Sequence, residues 1–180
     1  MNQVRIIGGE LRSRVISFPD ADGLRPTPDR VRETLFNWLG QTLYGRTCLD
    51  LFAGSGALGL EATSRGAERV VMVERNPVVL RALQENLKKL GCMNVSAHCQ
   101  DGLEFAMRDA QLYDVIFLDP PFQSDHLPKL LALLPQRLNE KGVVYVESGT
   151  VIESPPPWQV LKSGRAGQVY YQLLGLSIND

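Results

Sequence analysis

The feature that most constrains the fold of this 180-residue chain is an alternation of apolar and amphipathic segments from Arg46 onward. The predicted strands are 47–52, 70–74, 95–99, 115–118 and 143–147, and the predicted helices are 57–65, 77–90 and about 126–138. Short apolar strands separated by helices require right-handed crossovers, which build a parallel sheet covered on both faces. The sequence therefore predicts an α/β fold with a Rossmann-like, mostly parallel sheet.

Both ends of the chain depart from this alternation. Segments 159–162 and 168–176 have no helix between them, so we expect the sheet to end in an antiparallel hairpin. At the other end, Val4–Ser17 is predicted to form two short strands about Gly8-Gly9, a small β-hairpin extension.

A helix is predicted to begin at Thr27-Pro28-Asp29, with Thr27 as the capping residue and Pro28 at the first helical position. The apolar stripe that follows at helical spacing places Trp38 in the core. We assign residues 1–180 to a single domain. Its amino-terminal hairpin extension and loop occupy 1–26, and the helix with the Rossmann-like core occupies 27–180.

The charge of the chain is small in total but uneven along its length. The net charge of −1 argues against a generally basic nucleic-acid coat. Six arginines nevertheless fall in the first fifth of the chain: Arg5, Arg12, Arg14, Arg25, Arg30 and Arg32. The planar guanidinium suits bidentate phosphate contacts and stacking on bases, so these six are the candidate RNA-binding residues.

Three cysteines, Cys48, Cys92 and Cys99, have no CxxC spacing, so we expect reduced, mostly buried thiols and no metal site. The start of the chain, Met1–Arg14, is polar and has no apolar core of a signal peptide. No apolar run approaches the roughly 20 residues that span a bilayer. A cytoplasmic protein is expected.

A candidate cofactor site follows the first strand of the alternation. Gly54, Gly56 and Gly59 have the GxGxxG spacing, which permits a tight turn and lets a ligand approach the backbone. Glu74 ends the next strand, where a carboxylate can accept two hydrogen bonds from a ribose diol. Asp101-Gly102 follows the third strand and can hold an adenine amino group. In such sheets ligands bind outside the carboxyl ends of the strands.

Adenosine is common to NAD and S-adenosylmethionine, so the ribose and adenine contacts fit both cofactors. S-adenosylmethionine has no pyrophosphate, and its ammonium needs a carboxylate partner, which Asp50 before the glycines can supply. The stretch Phe52-Ala53-Gly54-Ser55-Gly56 resembles the first motif of class I methyltransferases more than a dehydrogenase fingerprint. Thr27 and Arg75 are also counted among the residues around the cofactor.

The candidate chemistry lies at Asp119-Pro120-Pro121-Phe122, after the fourth core strand. An exocyclic amine on a nucleobase is a poor nucleophile because its lone pair is delocalised into the ring. The Asp119 carboxylate and the Pro120 carbonyl can each accept one amine hydrogen and so favour a localised lone pair. The tandem prolines Pro120 and Pro121 stiffen the loop, and Phe122 can stack on the base.

The chain resembles the RsmD family, bacterial enzymes that methylate the 2-amino group of guanine 966 in 16S ribosomal RNA. The matching segments are Arg5–Gly9, Leu24–Thr27, Asp29–Trp38, Phe52–Glu61, Val115–Phe122, Tyr145–Ser148 and Ala166–Val169. The arginine-rich amino-terminal segments are the most specific to the family. Ser13 stands where a glycine is expected, and Glu10 adds a negative charge beside the arginines.

The resemblance implies a class I S-adenosylmethionine-dependent methyltransferase fold, with the amino-terminal hairpin helping to engage RNA. It implies Asp119, Pro120 and Phe122 at the target base, and Asp50, Gly54, Ser55, Gly56, Glu74 and Asp101 around the cofactor. The implied partner is 16S ribosomal RNA within an assembling small subunit, and we expect a monomer. His126, near the active loop, has no role in this mechanism and is expected to face solvent.

Three alternatives stay open on the sequence. An adenine amino methyltransferase shares the glycine turn and the Asp-Pro-Pro-Phe motif, but the amino-terminal arginines and the lack of an obvious DNA-recognition domain weigh against it. An NAD-dependent oxidoreductase would bind NAD in preference to S-adenosylmethionine. An assembly factor that binds ribosomal RNA without catalysis would not need Asp119.

Overall fold

Two β-sheets form the framework of the computed structural model, which describes residues 2–21, 24, 26–121 and 125–177. The strands are β1 (Asn2–Arg5), β2 (Val15–Phe18), β3 (Thr47–Asp50), β4 (Arg69–Glu74), β5 (Val95–Cys99), β6 (Tyr113–Leu118), β7 (Leu138–Ser148), β8 (Trp158–Ala166) and β9 (Val169–Leu176). Strands β1 and β2 pair with each other, and the other strands form one sheet in the order β5-β4-β3-β6-β7-β9-β8.

The main sheet confirms the predicted α/β, Rossmann-like architecture. Strands β3 to β7 are parallel, β9 runs antiparallel to β7, and β8 runs antiparallel to β9. The closing hairpin pairs Ala166 with Val169 across a two-residue turn. The first strand of this hairpin, β8, is longer than predicted, because the segment expected to be the connection, 163–167, mostly belongs to it, whereas β9 is close to its predicted bounds.

Helices cover both faces of the main sheet. They are α1 (Asp29–Trp38), α2 (Ala57–Ser64), α3 (Pro77–Leu90), α4 (Gly102–Arg108) and α5 (His126–Leu133), with a 3₁₀ turn at Leu134–Arg137. The bounds of α3 agree with the prediction because Asn76 caps its start and Gly91, at φ +70°, ends it. The described helices include none with the length and hydropathy needed to cross a membrane.

Two helix predictions need correction. Helix α4 was not predicted, and the predicted helix through Leu138 ends at Leu133. The chain tightens into the 3₁₀ turn there because Pro135 has no N–H to continue the α-helical hydrogen bonds. Thr27 does not cap α1: Pro28 occupies the cap position, and the Thr27 hydroxyl bonds elsewhere.

The core lies on the two sides of the central strands. Side chains from α1, α2, α3 and the amino-terminal strands pack against one face, and α4, α5 and β8 pack against the other. Trp38 is partly buried on the first face, with its ring 5.4 Å from that of Tyr171. Strand β6 buries Val115, Ile116, Phe117 and Leu118 completely. Each such side chain contributes about 1.5–3 kcal/mol, so the centre of the sheet is rigidly held.

The amino-terminal extension is a pair of strands docked on α2, and its turn differs from the prediction. Residues 6–14 connect β1 to β2, so Gly8-Gly9 is not the tip of a two-residue hairpin. The backbone N–H groups of Ile7 and Gly8 donate to the Glu61 carboxylate, both at 2.9 Å. Gly9 has φ +79°, and a Cβ there would lie 1.9 Å from the Ser64 carbonyl oxygen. The glycines therefore allow close docking on the helix.

Arg32 is a structural residue, which corrects its assignment to the RNA surface. Its side chain is fully buried and lies 3.4 Å from the Glu61 carboxylate (Nη1 to Oε2). The guanidinium also donates to the carbonyl oxygens of Arg5 and Thr27 and to Asp29. A buried guanidinium is stable only when its donors are satisfied, and these partners satisfy Arg32. It therefore ties the extension to α1 and α2.

Candidate active site at the carboxyl ends of the strands

Carboxylic side chains follow or end five neighbouring parallel strands. They are Asp50 on β3, Glu74 on β4, Asp101 after β5, Asp119 after β6 and Glu147 on β7. Parallel strands end at the same edge of a sheet, so these groups share one edge. The chain runs from β3 outward through β4 and β5, then returns to the other side of β3 as β6. That change of direction creates the crevice where open α/β sheets bind ligands.

The glycine turn between β3 and α2 is built as the sequence predicted. Gly54 and Gly56 have φ values of +54° and +86°, which favour glycine. A Cβ at Gly56 would lie 2.4 Å from a methyl carbon of Leu83, so a side chain would also clash. The N–H of Gly54 donates to Oε1 of Glu74 at 3.1 Å, which fixes the turn against the end of β4. Ser55 and Ala53 are buried within the turn.

Asp50 lies beneath this turn and is only 2% exposed. Its carboxyl group accepts hydrogen bonds from the backbone N–H groups of Phe52 and Gly59. Burial raises the pKa of Asp50 to about 7, and the charges of Glu74 and Glu147 contribute to the increase. A large part of the population therefore carries a neutral Asp50 near pH 7, and a cation arriving in the turn would favour its ionised form.

Glu74 is partly buried, and both of its oxygens face the turn region. In addition to its bond with Gly54, it accepts the N–H of Asn76 at 2.7 Å through Oε2. Each carboxylate oxygen has a second lone pair, so Glu74 can still accept hydroxyl groups. The neighbouring Arg75 is exposed. Glu74 is therefore placed to receive a diol above the glycine turn.

Asp101 and Gly102 stand beyond β5, opposite the ring of Phe52. Asp101 caps α4 through Oδ2, which accepts the N–H of Glu104 at 3.1 Å. A Cβ at Gly102 would lie 2.9 Å from the Phe52 ring, so only glycine allows this approach. His126 was expected to face solvent, but its side chain is only 20% exposed. Its Nε2 lies 3.6 Å from Asp101 Oδ1, so it belongs to the edge of this group.

The Asp119 end of the crevice contains a hydrogen-bonded carboxyl pair. Asp119 is partly exposed, Pro120 is buried, and the Asp119 carboxyl hydrogen-bonds that of Glu147. Glu147 Oε1 also accepts the Tyr145 hydroxyl at 2.6 Å and the Thr27 hydroxyl at 2.8 Å. Thr27, assigned to the cofactor from sequence, thus lies against Glu147.

The two carboxyl groups of this pair have different electrostatic surroundings. Burial raises the pKa of Asp119 well above its usual range, and the charges of Glu147 and Asp50 raise it further. Burial also raises the pKa of Glu147, but the hydrogen bonds from Tyr145, Thr27 and Asp119 oppose that increase. The proton of the pair therefore resides on Asp119, which donates to an ionised Glu147.

Glu147 and Tyr145 are the residues of this site that were not identified as functional from the sequence. The signal was a further carboxylate near the end of a parallel strand, as at Asp50 and Glu74. Phe122, assigned to base stacking, and Arg25, assigned to RNA, lie outside the described residues. Pro121 is exposed at the end of the described loop.

The candidate RNA-binding arginines other than Arg25 and Arg32 are exposed: Arg5, Arg12, Arg14 and Arg30. The three cysteines are unpaired, and only Cys48 is buried, so the expected burial is wrong for the exposed Cys99. Within the described ranges no group of three or more His, Cys, Asp or Glu side chains is arranged to hold a metal ion.

Most of the chain is similar to known methyltransferases. The family model described as Conserved hypothetical protein 95 matches residues 4–175. The chain is 41% identical over 176 residues to ribosomal RNA small subunit methyltransferase D of Escherichia coli (strain K12), covering 95% of this chain and 89% of that protein. It is 40% identical over 179 residues to the protein of the same name from Haemophilus influenzae, with 95% and 93% covered. The solved structure of the Escherichia coli protein yhhF matches with a TM-score of 0.88 at 40% identity, over 98% of this chain and 99% of that one.

Proposed function

The chain belongs to the family of ribosomal RNA small subunit methyltransferase D (RsmD), and we propose that it methylates a guanine of 16S ribosomal RNA. The acceptor is the exocyclic 2-amino group, and the resemblance to the family assigns it to guanine 966. The observation that carries the proposal is that Asp119-Pro120 and the glycine turn flank the same switch point, after β6 and after β3.

The residues of the glycine turn fit S-adenosylmethionine. When bound, this cofactor would supply a methyl group carried on a sulfonium and leave as S-adenosylhomocysteine. Gly54 and Gly56 give a ligand access to the backbone, and Asp50 is the carboxylate partner for its ammonium. Glu74 accepts the ribose hydroxyls, and Asp101 with Gly102 receives the adenine amino group beside Phe52. We assign Ala53, Ser55 and Arg75 to the same binding site.

The residues of β6 and its loop activate the amine. One oxygen of Asp119 and the carbonyl of Pro120 accept the two amine hydrogens, so the nitrogen lone pair is directed at the methyl group. Pro120 is buried and the loop begins with two consecutive prolines, so these acceptors are held before substrate arrives. Phe122 remains the proposed stacking partner of the base. Positioning of this kind supplies much of the rate acceleration in transfer between bound groups.

The residues that we propose to contact RNA are arginines that lie outside the crevice. Arg5, Arg12, Arg14 and Arg30 are exposed, and we retain Arg25 with them from the sequence. The names of the relatives support a small-subunit ribosomal RNA substrate, and we propose that it is presented to the monomeric protein within an assembling subunit.

The proposal is tested by incubating the protein with labelled S-adenosylmethionine and small subunits from a strain that lacks the activity. Mapping of the labelled nucleotide should identify one guanine methylated on its 2-amino group. Label on an adenine would instead support the adenine amino methyltransferase. Binding of RNA without label transfer would support an assembly factor.

Charge reversal in the extension tests the RNA surface. Arg12→Glu combined with Arg14→Glu should weaken RNA binding about tenfold at physiological salt and flatten its salt dependence, because each lost phosphate contact reduces the slope by about 0.7–0.9. The matched control is Lys162→Glu with Arg165→Glu, the same charge change at two exposed positions of β8. Filter binding across a salt series measures both. An unchanged slope of RNA affinity against salt in the Arg12→Glu, Arg14→Glu protein would show that the extension does not form the RNA surface.

A further inference from the structure

Glu147 is a buried acid that the proposed mechanism leaves without a purpose, and it lies against Asp119. Glu147 is 5% exposed, and its carboxyl hydrogen-bonds Asp119, the group proposed to touch the amine. Two hydroxyl donors, Tyr145 and Thr27, converge on one Glu147 oxygen at 2.6 and 2.8 Å. Thr27 lies 120 positions away in the chain, so distant parts of the fold are brought together to hold this carboxylate.

The neighbouring groups determine which carboxyl of the pair holds the proton. Hydroxyl donors stabilise a negative charge on Glu147, whereas Asp119 is flanked by the carboxyls of Glu147 and Asp50. Two carboxylates in direct contact at a largely buried position cannot both ionise without a large cost in free energy, so the pair keeps one proton, as in other carboxyl dyads. With that proton on Asp119, the Asp119–Glu147 bond points from the reacting group toward the interior.

We infer that Glu147 is the proton partner of Asp119 in methyl transfer, an inference that rests on the proposed function. The amine must lose one proton as its nitrogen gains the methyl group. The N–H bond breaks and an O–H bond forms on the Asp119 oxygen that faces the base, while the proton already on Asp119 passes to Glu147. The pair changes from a charge of −1 to neutral, which balances the loss of the positive charge of the cofactor. The pair then releases one proton to solvent and returns to its starting charge of −1.

Several ionisable groups act on this pair. Asp50 at the end of β3 adds a like charge to Asp119 and is itself partly neutral near pH 7. Tyr145, on β7 with Glu147, donates to it and stays protonated, because burial raises its pKa well above the usual range and Glu147, Asp119 and Tyr171 oppose its ionisation. Within the described part of the chain, the groups that act on the pair are the carboxyls of Asp50, Asp119 and Glu147 and the hydroxyls of Tyr145 and Thr27. The Asp119–Glu147 pair is therefore the group in this site that accepts the proton released by the amine.

Replacing Glu147 with glutamine tests this role. Glu147→Gln keeps the size of the side chain and can still receive the hydroxyls of Tyr145 and Thr27, but it cannot take a proton. We expect kcat to fall about 100-fold at neutral pH, while the dissociation constant for S-adenosylhomocysteine stays within about twofold. Glu140→Gln, the same change at an exposed position of β7, is the matched control and should keep full activity.

The dependence of kcat on pH distinguishes a role of Glu147 in proton transfer from a purely structural role. In Glu147→Gln the acidic limb of kcat should move to higher pH by at least about one unit, because the charge must now reside on buried Asp119 without the two hydroxyl donors. Tyr145→Phe removes one donor and should move the limb in the same direction by about one unit. A uniform fall at all pH values, or an unchanged kcat, would reduce Glu147 to a structural residue and overturn the inference.

Infrared difference spectra of the cofactor-free protein give a readout that is independent of activity. Asp119→Asn should remove the absorption of a protonated carboxyl group at neutral pH, because Asp119 carries the proton of the pair. Loss of a carboxylate absorption instead would show that Asp119 does not carry the proton and would overturn the inference. If Asp119→Asn abolishes methyl transfer but Glu147→Gln does not, the proposed function stands and this inference fails. If neither variant affects transfer, the amine-activating role proposed for Asp119 fails together with this inference.

Discussion

Asp119→Ala is expected to lower kcat for methyl transfer about 1,000-fold while the dissociation constant for S-adenosylhomocysteine changes by no more than about twofold. The side chain stands after β6, beyond the glycine turn, and its hydrogen bond runs to Glu147. Its removal deletes the acceptor proposed to hold the amine in its reactive geometry and leaves Asp50, Glu74 and Asp101 in place. Single-turnover assays give the rate, and calorimetry gives the cofactor affinity.

Asp125→Ala is the matched control for this prediction. Asp125 is an exposed acid six positions further along the same connection, paired only with Lys129 among the described residues. It should retain the wild-type rate. A fully active Asp119→Ala protein would contradict amine activation by this residue, and a parallel loss of cofactor affinity would place Asp119 in the cofactor site instead.

Asp50→Asn should stabilise the protein above neutral pH and weaken cofactor binding. The folded-state pKa of Asp50 is about 7, against an ordinary value of 3.8, so the folded chain holds a proton that the unfolded chain has already released. The stability that this proton confers is complete below about pH 4 and is lost as the pH rises through about 7. Asparagine can accept the N–H groups of Phe52 and Gly59 without a charge, so the loss should disappear. At pH 8 the expected gain is about 4 kcal/mol.

Urea unfolding of the two proteins between pH 5 and pH 8 measures this difference. The curves should converge toward the acidic end and diverge toward the alkaline end, whereas the control Asp125→Asn, at an exposed position, should follow the wild type closely. In the same range S-adenosylmethionine should bind Asp50→Asn about tenfold more weakly if Asp50 faces its ammonium. Parallel unfolding curves would mean that Asp50 is ionised in the folded protein throughout.

The alternation of strands and helices was sufficient to predict the sheet and most of its strands. Local signals worked best where one residue determines an end, as Asn76 and Gly91 do for α3. They failed for α4, which has seven residues, begins with glycine and is too short to show a helical period. The tightening after Leu133 depends on Pro135, which the apolar pattern alone does not register.

The site was predictable to the extent that its groups lie at strand ends. Asp50, Glu74, Asp101 and Asp119 share one edge because parallel strands end together. What the sequence did not reveal depends on partners far away in the chain. Arg32 belongs to an arginine-rich segment, and only the fold shows that its guanidinium faces Glu61 in the interior. Glu147 likewise acquires its surroundings from Thr27, at the opposite end of the chain.

The docking of the extension on α2 has a consequence for protein engineering. Helix α2 follows directly on Gly56 of the glycine turn, and near its other end it carries Glu61 and Ser64, which receive the extension. Deleting the extension would leave the buried Glu61 facing the buried Arg32 and the partly buried Arg65, with the backbone partners Ile7 and Gly8 gone. A chimaera that exchanges this segment between related enzymes should therefore transfer α2 with it. The segment to exchange is therefore the extension together with α2, and a chimaera joined at residue 26, the end of the extension and its loop, would separate the two.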